Sequence, residues 1–86
     1  MIDITLPTIH MNGTSKAMLT VCYDDAGDKL HDFFEAWRGI EFNSRDYYPQ
    51  GPDAWQKALD ERELINAKIH EVMDYIRQIR EHLYDV

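Results

Sequence analysis

The sequence predicts an all-α fold: a two-helix antiparallel hairpin with an extended N-terminal arm, assembling into a helical-bundle oligomer. Three observations carry this expectation. Two long segments have apolar residues at helical spacing, a Gly- and Pro-containing aromatic stretch joins them, and the chain is short for the apolar surface it carries. At 86 residues there is one domain, and a chain of this size buries only a modest fraction of the surface its unfolded form exposes.

Residues 1–12 read as the arm and 13–40 as the first helix, with its regular part near 15–39. Leu19, Tyr23, Ala26, Leu30, Phe33, Trp37 and Ile40 follow alternating steps of four and three, which puts them on one stripe of a helix. Gly27 costs about 1 kcal/mol relative to Ala in a helix interior, so it either permits close packing or weakens the helix. A competing reading starts from Asn12-Gly13, a strong hairpin signal, and makes 5–11 and 17–23 two strands around it. Pro7 counts against it by removing a ladder donor, and the heptad steps running on from Leu19 to Leu30 favour a helix starting between Asn12 and Ser15.

Residues 41–52 form the connection and 53–84 the second helix. Pro52 suits a first turn, Asp53 suits a cap, and Gln56 stands three residues on as its reciprocal partner. Trp55, Ala58, Ile65, Ile69, Val72, Ile76, Ile79 and Leu83 repeat the helical stripe, interrupted only at Arg62. The two rods, roughly 37 and 48 Å long at 1.5 Å per residue, have too little mutual surface. Phe34, Leu64 and Met73 lie beside the seams poorly covered, so a four-helix or larger assembly of identical hairpins is expected.

Composition narrows the function. The chain is 44% hydrophobic and 29% charged with a net charge of −7 and a sequence pI near 4.8. That balance argues against duplex nucleic acid or an anionic membrane, both held by neutralising phosphate with Lys and Arg. The interleaved acidic residues read as solvated helix faces. One cysteine, Cys22, excludes an intramolecular disulfide framework and a cysteine zinc cluster, and on an apolar-rich helix it reads as a small core residue. No apolar run approaches the roughly 20 residues of a membrane span, and Met1-Ile2-Asp3-Ile4-Thr5 lacks the basic flank of a signal peptide. A cytoplasmic location is expected.

Two stretches stand out. Pro7-Thr8-Ile9-His10-Met11-Asn12-Gly13-Thr14-Ser15 and Arg45-Asp46-Tyr47-Tyr48-Pro49-Gln50-Gly51 resemble those of small bacteriophage and prophage proteins, in which an arm ending in N-G-T-S precedes one helix and G-R-D-Y-Y-P-Q-G joins it to a second. Those proteins commonly have Gly before the Arg, where this chain has Ser44. The resemblance spans most of the chain and implies a helical hairpin in a phage setting, the host cytoplasm, with no activity attached.

Read as chemistry, Asn12, Thr14 and Ser15 offer amide and hydroxyl groups at a helix start, where backbone N–H groups lack partners; this is either a plain cap or an anion site. In the connection, Arg45 can fork onto phosphate, Tyr47 or Tyr48 can stack on a base, and Gln50 can read a base edge; the bland alternative is a loop pinned by tyrosine packing. The i, i+4 pairs His31/Glu35 and His70/Asp74 lie beside the seams, and inward Glu-x-x-His pairs are lacking, so no metal or other cofactor is expected. An all-helical nucleotide pyrophosphohydrolase needs acidic pairs on two helices. Glu71-x-x-Asp74 fits half of that pattern, while Asp60, Glu61 and Glu63 fall on the same helix, so catalysis is not expected. Two functions remain. The first is a phage-type protein that sequesters a nucleotide-like immune signal at a subunit interface, with Arg45 and Tyr48 as anchors. The alternative is an acidic helical protein that binds and inhibits a host protein.

Overall fold

The computed structural model describes residues 3–86, so the first two residues of the arm, and with them part of the N-terminal segment read above against export, lie outside the described residues. Residues 3–15 are an extended arm, α1 spans Lys16–Arg38, single-turn 3₁₀ helices occupy Ser44–Asp46 and Tyr48–Gln50, and α2 spans Ala54–Asp85. No strand occurs among the described residues, so the strand reading of 5–23 gives way to arm plus helix. The Asn12-Gly13 turn does form, with the Gly13 N–H donating to the His10 carbonyl at 3.2 Å, but it leads the arm into α1. Ser15 then stops the arm: its backbone is extended, and its hydroxyl accepts the Met18 N–H at 3.1 Å. This satisfies one of the orphan donors of the first turn.

The start of α2 departs from the expected capping box. Asp53 occupies the cap position with helical backbone angles of −93° and −12°, and its side chain makes no capping bond. A capping carboxylate needs an extended backbone to turn back onto the first turn, and this one lacks it. Gln56, freed from that pairing, donates to Asp60 at 3.0 Å along the helix surface.

The packed stripes also differ from the expected ones. In α1 the half-buried residues are Leu19, Thr20, Tyr23, Asp24, Gly27, Leu30, Phe34 and Trp37, while Ala26, Phe33 and, just past the helix end, Ile40 face outward. The expected and observed rows share Leu19, Tyr23, Leu30 and Trp37; the apolar arc of α1 is wider than one partner helix can cover, and Gly27 and Phe34 select the register. At Gly27 an added Cβ would lie 2.6 Å from Nη1 of Arg80, which crosses there to pair with Asp24 at 2.9 Å. Phe34 meets the edge of His70 at 5.1 Å. In α2 the packed residues are Trp55, Ala58, Arg62, Asn66, Ile69, Met73, Ile76, Ile79, Arg80 and Leu83, with Ile65 and Val72 outside them. Cys22 is exposed rather than part of a core, being one position off the packed row.

Among the described residues, full burial is confined to Ala58, Ile79 and Leu83. Ile79 and Leu83, each 1% exposed, lie where arm, α1 and α2 converge. The Pro7 carbonyl meets His82 Nε2 at 2.8 Å, and Lys16 Nζ donates to the Val86 carbonyl at 2.5 Å. Elsewhere the hairpin is two layers with no third. Its extents are 61 × 23 × 18 Å and its radius of gyration is 18.4 Å, against about 12 Å for a compact chain of this length.

Across the hairpin Tyr23 faces Tyr75. Burial, and after it the neighbouring Tyr75 phenol, hold the Tyr23 hydroxyl above the usual 10.0. The folded state thus favours the neutral phenol, so this contribution to stability is complete below the unfolded value and is lost as pH rises through the folded one. Spectrophotometric titration is expected to show Tyr23→Phe losing absorbance change at the high-pH end of the wild-type curve. A loss at the ordinary tyrosine position would contradict it.

Candidate functional site at the interhelical loop

The loop is built around an arginine held among aromatic rings. Trp37 ends α1, Phe42 follows the turn at Gly39, Tyr47 lies between the two 3₁₀ turns, and Trp55 opens α2. Phe42 and Trp55 ring centroids are 4.8 Å apart, and Tyr47 is 5.7 Å from each. Arg62, the residue that interrupts the apolar spacing of α2, points back into this group. Its guanidinium lies 4.1 Å from the Trp37 ring centroid and 4.7 Å from that of Phe42, and it donates to the Trp37 carbonyl at 3.0 Å. One cation thus engages two π faces and the negative end of α1. The Trp37 indole N–H donates to Asn66 at 3.2 Å, so the ring is fixed on both sides. Gly51, at φ 127°, supplies a backbone conformation that side-chain-bearing residues rarely adopt and turns the chain into α2.

Beside this hub is an open groove of about 430 Å³ lined by Tyr47, Gln50, Gly51, Pro52, Lys57 and Glu61, among others. Tyr47 and Gln50 are thus brought together at one groove. Arg45, in the first 3₁₀ turn, is exposed, and Tyr48 is 66% exposed; neither lines the groove. Both stand outward on a loop whose inner side is pinned. Asn12, Thr14 and Ser15 are exposed at the other end of α1, roughly 34 Å away by helical rise, with the Ser15 hydroxyl engaged in its cap. No single chain joins the two sets.

Two residues of this region escaped the reading of the sequence. Lys57 is a cation in the first turn of a helix, where acidic residues are favoured, and that mismatch was its signal. Arg62 was visible as a gap in a heptad row, although what it reaches depends on the fold. Among the described residues, no three His, Cys, Asp or Glu side chains are grouped to hold a metal ion, and no helix is long and apolar enough to cross a membrane. His31 stands 3.9 Å from Glu35, whereas His70 packs against Phe34. No family model matches the chain, and no curated protein or solved structure is significantly similar to it.

Proposed function

We propose that this chain is a phage-type binding protein that sequesters a nucleotide-like immune signal in the host cytoplasm, holding it between copies of the chain. The reading rests on one observation: Arg45 and Tyr48 stand exposed on a loop whose other face is fixed by Tyr47, beside a groove lined by Gln50 and Lys57. A guanidinium and a phenol held outward by a rigid base suit phosphate pairing and base stacking, and the groove falls in the size range of small-molecule sites. Asn12, Thr14 and Ser15 of a neighbouring copy complete the site by bringing helix-start N–H groups to the phosphate.

Calorimetry with a panel of cyclic and ADP-ribose-type nucleotides tests it. Wild type is expected to bind one of them, with Arg45→Ala and Tyr48→Ala each losing about 1–3 kcal/mol and leaving assembly unchanged. Equal binding by all three proteins, or no heat with any nucleotide, would overturn the reading. A second reading, an acidic helical protein that binds and inhibits a host protein, is favoured by the exposed Val21, Leu64 and Val72 on a chain of net charge −7. It takes precedence if the nucleotide panel is silent.

A further inference from the structure

We propose that one broad face of the hairpin docks a second copy of this chain in an antiparallel two-fold arrangement centred between Lys68 and Glu71. The inference rests on the reading above, that ligand is held between copies, and it names the surface and the register. Phe33 of α1, Ile40 just past its end, and Leu64, Ile65, Val72 and Tyr75 of α2 are all exposed. At about 100° per residue, Phe33 and the α2 group are each displaced from their packed rows by roughly 100° in the same rotational sense. In two antiparallel helices an equal displacement in the same sense leads to the same side of the pair. Ile65 lines a groove at the edge of this face with Trp37, Phe42 and Glu61.

Ile65, Val72 and Ile79 follow one another at heptad spacing along a single row of α2. Ile79 is 1% exposed, whereas Ile65 is 43% and Val72 49% exposed. One end of the row is therefore buried within the chain and the remainder is open. The accessible surface of the whole chain is 6647 Å², about 1300 Å² above the value expected for a compact monomer of this mass. A stable dimer needs roughly 800 Å² from each partner.

A second copy fits because the open part of α2 is self-complementary when reversed. About a two-fold axis between positions 69 and 70, Leu64 meets Tyr75 of the partner subunit, and Lys68 meets Glu71 of the partner subunit. Phe34 stands opposite His70, so the same axis crosses α1 near Phe34 and sets Phe33 against its own symmetry mate. The register has a consequence for the site. Ser15 lies about 29 Å from the axis and the start of α2 about 23 Å from it, by helical rise. Each copy's cap therefore falls level with the other copy's loop.

The experiment is sedimentation of the full chain at micromolar concentration without nucleotide, with helicity followed by circular dichroism. The expected species has twice the 10.2 kDa of one chain. Val72→Glu should weaken association about 100-fold or more by burying an unpaired carboxylate. Lys68→Glu should weaken it about tenfold by opposing like charges at two symmetric contacts, and Lys68→Glu with Glu71→Lys should restore it. Both of the latter sites are exposed, so helicity should be unchanged. A 10 kDa species in wild type, or dimers indifferent to Val72→Glu, would overturn the docking face, and failure of the double exchange to restore association would overturn the register. A dimer that binds no nucleotide overturns only the ligand reading.

Discussion

Ile79→Asp is expected to abolish the cooperative helical fold. Ile79 is 1% exposed, one turn before the equally buried Leu83 and close to the contact of Pro7 in the arm with His82. An aspartate there would bury a carboxylate among apolar side chains, at a cost of several kcal/mol whether it ionises or takes up a proton. A domain of this size has about 5–10 kcal/mol of stability in total, so the change consumes most of it. Ile79→Ala should lose about 2–5 kcal/mol and still fold. Val21→Asp, on a residue 69% exposed, should cost no more than about 0.5 kcal/mol. Thermal melts followed by circular dichroism separate the three, and a normal melt for Ile79→Asp would contradict the convergence described above.

Arg62→Ala is expected to cost about 2–4 kcal/mol, since a cation–π contact contributes about 0.5–1 kcal/mol and a charged hydrogen bond about 1.5–3 kcal/mol. The guanidinium makes two such contacts and donates to the Trp37 carbonyl. Arg62→Lys should recover only a small part, because an ammonium keeps the charge but loses the planar fork that stacks on a ring. The protein's two tryptophans, Trp37 and Trp55, both sit in this hub, so fluorescence reads the change directly: emission should shift to the red in the alanine variant even where helicity persists. A urea midpoint unchanged from wild type would remove Arg62 from its role as the loop's anchor.

The helices were legible because their signals are local. Ser15 announces a cap by its chemistry, and steps of three and four announce a helix face. The exact face was not legible. Phe33 and Phe34 are equivalent to any periodicity, and the choice between them depends on Arg80 crossing at Gly27 and on His70 receiving Phe34, both made by residues more than thirty positions away. The Asp53 cap failed for a similar reason. Its residue type was right, but the preceding 3₁₀ turn and Gly51 deliver it with a helical backbone. At the loop, the residue types that suggest phosphate and base recognition were readable, whereas the division of labour between Tyr47 and Tyr48, one packed inward and one exposed, was not. Adjacent identical residues carry no sequence signal for which of them the hub will recruit.

The distribution of buried contacts also shapes how the molecule fluctuates. One pole is held by the buried Ile79 and Leu83, the Pro7–His82 contact and the Arg80–Asp24 pair, the other by Arg62 among its rings, and between them the helices meet through half-buried side chains such as Leu30, Phe34 and Met73. Regions with few buried contacts open at lower free energy than the global transition. The single chain is therefore a rod pinned at both ends and slack in its waist, where the helices can bow apart without either pole letting go.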